Sequence, residues 1–277
     1  MAYSKKYDRV LRKAMSEFSK LGGYPICHKT PREATDLLAR QILDTVVNRT
    51  IDSDPLLARR QGPKHATRSL IKETFRLICR YAGQAVTPRR MAEEIGQVLS
   101  STVHADAITE AVQFLTDSML VHQIAPLELL LRKQGHPCKL CLCDHFIRNA
   151  WLQEAIPISP EELATRPESV SSVAGHIVES VVGYHLCGVS GLEVAWLPER
   201  PSQAEVDFVL TIGTHRLPVE VKYRRGSLRP PDFAPVMAFC GNKNYEAPFG
   251  IIITQETTVE LDSNVMAIPL TALLAIR

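Results

Sequence analysis

Three acidic residues and one lysine between positions 205 and 222 have the types and spacing for metal or phosphate chemistry: Glu205, Asp207, Glu220 and Lys222. Between them, Gly213-Thr214 is a two-residue link with glycine first, which suits a type II′ hairpin turn. With that turn, Ile212 faces His215, Asp207 faces Glu220 and Glu205 faces Lys222. Side chains alternate along a strand, so all four polar residues share one face, while Val206, Phe208, Val219 and Val221 share the other. Directly opposed carboxylates repel. A divalent cation with oxygen ligands offsets that repulsion, and Mg²⁺ accepts one or two carboxylates while keeping several waters. Lys222 would then stand beside the ion, able to orient a nucleophilic water or stabilise charge on a phosphate in flight. The alternative is a solvated face with a Glu205–Lys222 ion pair, and pairing geometry leaves both open.

Asp207, twelve intervening residues and then Glu220-Val221-Lys222 resembles the PD-(D/E)XK nuclease signature. Glu179, on the preceding helix, matches the additional acidic residue of many such enzymes. A wider resemblance runs through Leu21-Gly22-Gly23-Tyr24-Pro25, Leu142-Cys143-Asp144, the Gly175–Glu179 helix and Glu205-Val206-Asp207-Phe208-Val209. It looks like the uncharacterised C-terminal region that follows an AAA-type ATPase domain in many bacteria and archaea, and covers the chain from about residue 15. The resemblance implies a restriction-endonuclease-like αβββαβ core in which Asp207 and Glu220 hold Mg²⁺, with Mn²⁺ as a substitute and the Val221 carbonyl as third ligand. Glu179 would position the ion or its water, and Lys222 would orient the nucleophile. The implied reaction is hydrolysis of DNA phosphodiesters by metal-activated water, in anti-phage defence or DNA processing, with a separate AAA-type ATPase as partner and a homodimer as the form that cuts both strands. The competing expectation is a catalytically inactive nuclease-fold module that binds DNA or a partner protein.

Other residues carry weaker signals. Lys222, Arg224, Arg225 and Arg229 form a basic run halted by Pro230-Pro231, either a rim binding nucleic acid through the three arginines or an ordinary solvated loop. Lys5, Lys6, Arg9, Arg12 and Lys13 lie along a helix and could track a phosphate backbone or keep that helix soluble. Cys138, Cys141 and Cys143, flanked by His136 and His145, tempt a structural zinc. Leu140 and Leu142 alternate with the last two as a strand requires, which argues against that zinc. His176 precedes Glu179 by one helical turn and could face the same site. Cys27, Cys79, Cys187 and Cys240 sit singly among apolar residues, as reduced core thiols do. No phosphate-cradling loop and no Ser-His-Asp or Cys-His arrangement is present.

The elements that must position these groups read as a mixed α/β chain. Apolar residues at helical spacing predict helices over 4–21 and 31–48, the first halted by Gly22-Gly23, with a polar connector at 50–66. Helices at 68–82, from Pro88 to about Ile95 behind a Thr87 cap, and at 104–119, followed by extended VHQIAPL, outline a winged helix. Its third helix carries Asp106, Glu110 and Asp117 with no Lys or Arg, a poor match to a DNA groove and a better one to a packing module. A helix over 171–187 then precedes strands at 192–197, 205–212 and 216–223, a short helix at 231–240, a strand at 249–254 and the apolar run VMAIPLTALL.

The chain has 277 residues, 45% hydrophobic and 22% charged, enough apolar material for a sizeable core and against a disordered or disulfide-stapled chain. Its net charge of +2 hides an asymmetry. Residues 1–66 hold 13 Lys/Arg against 7 Asp/Glu, 67–150 hold 10 against 8, and 151–277 hold 9 against 15. The expected organisation is therefore a basic helical region (1–66), a winged-helix-like module (67–150) and an acidic nuclease-like domain (151–277). No apolar run reaches membrane-span length and the N-terminus lacks a signal-peptide stretch, so a cytoplasmic location is expected.

Overall fold

The structure, a computed structural model, describes residues 2–29, 35–53, 67–128, 136–201, 203–255, 259–262 and 264–276. Two compact units are present, and each is discontinuous in sequence. One combines Met1–Ser19, Ile124–His136 and Ile156–Arg277; the other combines Lys20–Gln123 with Pro137–Ala155. They cut across the expected boundaries at 66 and 150.

Helix α1 (Ala2–Leu21) ends at Gly22, whose φ of +66° is easy only for glycine. The second unit continues with α2 (Pro25–Lys29), α3 (Thr35–Ile42) and α4 (Arg49–Ser53), the last two joined by a π-helical segment, Leu43–Asn48. The predicted start at 31 lies outside the described residues. Three longer helices follow: α5 (Arg68–Arg80), α6 (Pro88–Leu99) and α7 (Ala105–Asp117). Thr67 and Thr87 cap α5 and α6 by accepting from the Leu70 and Arg90 backbone N–H groups. Strands β1 (Val121–Ile124) and β2 (Lys139–Leu142) form a two-stranded sheet, to which Ala85 adds a single bridge at Lys139. Helix α8 (His145–Leu152) closes the unit and was not foreseen from the sequence.

Leu38, Ile42, Val47 and Ile51 share one buried cluster with Ile71, Phe75 and Ile78 of α5, Met91 and Ile95 of α6 and Ile108 and Leu115 of α7. Each such side chain contributes about 1.5–3 kcal/mol when removed from water. Residues of α3 to α8 thus share one core, while most of the expected polar connector, 54–66, lies outside the described residues.

The first unit contains α9 (Pro160–Leu163), α10 (Glu168–Cys187), β3 (Glu193–Leu197), β4 (Val206–Ile212), β5 (His215–Val221), α11 (Pro230–Gly241), β6 (Gly250–Thr254), β7 (Val259–Asp262), β8 (Val265–Pro269) and α12 (Leu270–Leu273). Its six-stranded sheet has the order β3-β4-β5-β6-β8-β7. Strands β3, β4 and β5 run antiparallel, β6 joins β5 in parallel and β8 joins β6 in parallel, while β7 is an antiparallel edge. The helix–three-strand–helix–strand order expected from sequence is the order observed. Helix α11 covers the sheet through Val236, packed with Ile252, Val265 and Ala267. Gly250 makes that approach feasible, since a Cβ there would lie 2.1 Å from Val236 Cγ1.

The β4–β5 register follows from the turn. Phe208 pairs with Val219, Val209 with Pro218 and Ile212 with His215. Gly213 has φ of +61° while Thr214 is not among the residues with positive φ, as a type II′ turn requires.

Candidate metal centre

At the open end of this hairpin, Asp207 and Glu220 are held in place by each other's strands. The Val221 backbone N–H donates to Asp207 Oδ2 at 2.8 Å, and the Asp207 N–H donates to Glu220 Oε2 at 3.3 Å. Both side chains belong to largely buried residues, 9% and 6% exposed. The other Glu220 oxygen, Oε1, accepts from Lys222 Nζ at 2.6 Å. Lys222 is therefore paired with Glu220, two residues away on its own strand end, whereas the solvated-face alternative pairs it with Glu205. Burial, reinforced by the nearby Asp207 charge, pushes the Glu220 carboxyl from 4.5 up to about 7. Burial alone would lower the Lys222 ammonium, but the Glu220 carboxylate more than offsets it and the net shift is upward.

A second group converges on Asp207. Ligand oxygens from Glu179, Glu205 and Asp207 all lie within 4.8 Å of one another. Glu179 comes from α10 and has a side chain 13% exposed. Glu205 stands just before β4, two residues from Asp207 and so on the same face. Three carboxylates are hard oxygen donors, a set that fits Mg²⁺ or Mn²⁺ better than a thiophilic metal. This is the only such group of His, Cys, Asp or Glu among the described residues. The sequence reading sets Glu205 on the face of Asp207 but gives it no ligand role. Strand alternation was the signal for it, and the position of α10, which brings Glu179 alongside, was not readable from local pattern. The Glu220 carboxylate is not among these three. His176 Nδ1 lies 3.8 Å from Glu179 Oε2, at the rim, with its side chain half exposed.

The basic loop is partly committed. Arg224 Nη2 bonds both oxygens of Asp232, at 2.6 and 2.5 Å, and the Arg229 N–H donates to Asp232 Oδ2 at 2.7 Å to cap α11. Arg225 and Arg229 are exposed. Elsewhere, Arg12 pairs with Glu161 at 3.5 Å. Leu140, Cys141 and Leu142 are buried along β2, and Cys143 Sγ lies 3.7 Å from the Tyr24 hydroxyl. Burial pushes the Cys143 thiol up to about 12 and the Cys27 thiol up to about 11, which keeps both protonated. None of the seven cysteines is in a disulfide; Cys27 and Cys79 are buried, and Cys187 and Cys240 only partly so.

Among curated proteins, no sequence matches this chain. Residues 174–273 match a domain of unknown function, DUF4143, which is commonly an AAA-ATPase-associated C-terminal region. That match covers α10 from Ala174 onward, the hairpin and the sheet, and so contains Glu179, Glu205, Asp207, Glu220 and Lys222. No described helix is long and apolar enough to cross a membrane. Residues 12–156, more than half of the chain, match a second family, and on that extent the protein belongs to the domain of unknown function DUF8612.

Proposed function

We propose that the protein is a metal-dependent deoxyribonuclease with a PD-(D/E)XK-like core. The observation that carries this reading is the convergence of Glu179, Glu205 and Asp207 at the mouth of a hairpin whose other strand bears Glu220 and Lys222. The α10-β3-β4-β5-α11-β6 order supports the same core. Glu179, Glu205 and Asp207 would hold a Mg²⁺ or Mn²⁺ ion, with the Val221 carbonyl and Glu220 adjacent. The bound ion supplies Lewis-acid charge for hydrolysis of a phosphodiester. Lys222 orients the attacking water and returns to Glu220 between turnovers. Glu220, with its carboxyl near neutrality, is suited to accept a proton from that water. Arg225 and Arg229 contact the DNA backbone at the rim, and Arg224 joins them when it leaves Asp232.

The match to an ATPase-associated region supports a separate AAA-type ATPase as partner, with anti-phage defence or DNA processing in the cytoplasm as the setting and a homodimer as the cutting form. The α5–α7 helices with β1 and β2 act as a winged-helix-like packing module. A second reading, an inactive module that binds DNA or its partner, is favoured by one observation: Lys222 and Arg224 are both paired with carboxylates of this chain.

The test is cleavage of supercoiled and single-stranded DNA with Mg²⁺, Mn²⁺ or EDTA, comparing wild type with Asp207→Ala and Lys222→Ala. Metal-dependent cutting lost in both variants supports the nuclease. Absence of cutting with DNA binding retained in all three proteins supports the inactive module.

A further inference from the structure

Lys222 lies one residue beyond the end of β5, where a long side chain on a frayed strand end would wander. Its backbone is instead fixed. The Lys222 N–H donates to the Ile253 carbonyl at 2.8 Å, and its own carbonyl accepts from the Arg224 N–H at 3.0 Å. The next residue, Tyr223, is buried at 4% exposure, and its carbonyl accepts from Gln255 Nε2 at 3.4 Å. The Tyr223 hydroxyl donates to the Ile158 carbonyl at 2.5 Å.

Ile158 is fully buried and is held from its other side as well. Its N–H, and that of Ser159, donate to Ser19 Oγ at 2.8 and 3.1 Å. Ser19 sits in the last turn of α1 and is itself buried. Ser159 goes on to cap α9 by accepting from the Glu162 N–H, and Arg12 of α1 reaches Glu161 in the same short helix. One strap, residues 158–162, is thus fastened to α1 on one side and to the Lys222 end of β5 on the other. These groups all belong to one compact unit.

We propose that Tyr223 and Ser19 are positioning residues for Lys222, acting through the Ile158 peptide groups, so that α1 sets the placement of the lysine in the centre. The inference rests on the nuclease reading for what Lys222 does, but not for where it is held. A buried carbonyl or N–H that loses its partner must find another by shifting. Here the two partners of one residue lie on α1 and on the site strand, so displacement at either end reaches the other.

The experiment uses the full chain with ¹³C-labelled lysine, the Lys222 ¹³Cε resonance being assigned by its loss in Lys222→Ala. Tyr223→Phe and Ser19→Ala should each shift or broaden that resonance. Each should lower kcat for DNA cleavage about tenfold and leave KM and Mn²⁺ affinity within about twofold. The double variant should be no worse than the poorer single one, because both cut the same relay. Ser19→Thr, which keeps the hydroxyl, should restore the wild-type resonance. An unchanged Lys222 resonance in Tyr223→Phe and Ser19→Ala overturns the proposal, whatever happens to the melting temperature. Should Tyr223→Phe not fold, Ser19→Ala at the far end of the relay decides the question. Should the wild type cut no DNA, the nuclease reading fails while the resonance still tests the relay.

Discussion

Asp207 and Glu220 each take a hydrogen bond from the strand that carries the other: Val221 N–H to Asp207, and Asp207 N–H to Glu220. Two carboxylates that should push the hairpin apart therefore fasten it, with Lys222 balancing the charge on one side. The arrangement leaves the two unequal. Glu220 has both oxygens engaged by the protein, whereas Asp207 also faces Glu179 and Glu205.

That inequality ranks the ligands. Glu205→Gln and Glu179→Gln should each weaken Mn²⁺ binding about tenfold or more, and Asp207→Asn should weaken it further. Glu220→Gln should cost clearly less. Calorimetric titration with Mn²⁺ checks the order, and a larger loss for Glu220→Gln than for Glu205→Gln would place the ion in the hairpin instead.

Glu220 also ties stability to pH. Its carboxyl titrates near 7 in the fold against 4.5 for an ordinary glutamate, so the folded chain holds that proton more tightly than the unfolded one. The resulting stabilisation is complete below about 4.5 and is lost as pH rises through about 7, a difference on the order of 3 kcal/mol. Glu220→Gln removes this dependence. Urea unfolding in EDTA should show the variant gaining on wild type at pH 8.5 relative to pH 5, and equal behaviour at both would contradict the assignment.

Gly22 and Asp144 form a separate, structural pair. Asp144 accepts from the Gly23 N–H at 2.6 Å and from the Phe146 N–H at 2.7 Å, and so caps α8 while holding the turn after α1. A Cβ on Gly22 would lie 2.1 Å from Asp144 Oδ1, at a positive φ. Gly22→Ala should cost more than about 2 kcal/mol. Combined with Asp144→Ala it should cost less than the sum of the two, because the clashing carboxylate is gone. Thermal unfolding of the three variants measures the coupling.

Asp232 restrains Arg224. Burial raises the Asp232 carboxyl, but the Arg229 N–H and Arg224 outweigh it and hold it below its ordinary value, so the pair persists at neutral pH. If the basic loop meets phosphate, Asp232→Asn releases Arg224 toward DNA. Affinity should then rise at low salt, and the slope of log K against log salt should steepen by about one. An unchanged slope would leave Arg224 as a helix-terminus fastener alone.

The hairpin was legible because its determinants are local. Gly213 sets the turn, the turn sets the pairing, and alternation places Glu205, Asp207, Glu220 and Lys222 on one face. Which carboxylates converge was less legible, since Glu179 reaches Asp207 only through the placement of α10 beside the sheet. Lys222 on Glu220 rather than on Glu205 is similarly a contact that strand alternation alone does not fix. Helix α8 has no plain local signal because its start depends on Asp144 accepting from the Phe146 N–H, and α2 has none because five residues show too little periodicity. The assignment of Met1–Ser19 to the C-terminal unit has no local signature at all. It rests on contacts such as Ser19 with Ile158, across 139 positions of sequence.

That separation has a consequence for the newborn chain. Residues 1–19 belong with residues 156–277, and the intervening helical unit can collapse on its own core before those two stretches meet. Contacts this far apart in sequence make for slow folding. The acidic cluster, Lys222 and the strap that steadies it therefore come together only after translation has passed β6. Under the proposed nuclease function, the site would stay unassembled, and the chain harmless to nucleic acid, until that point of synthesis.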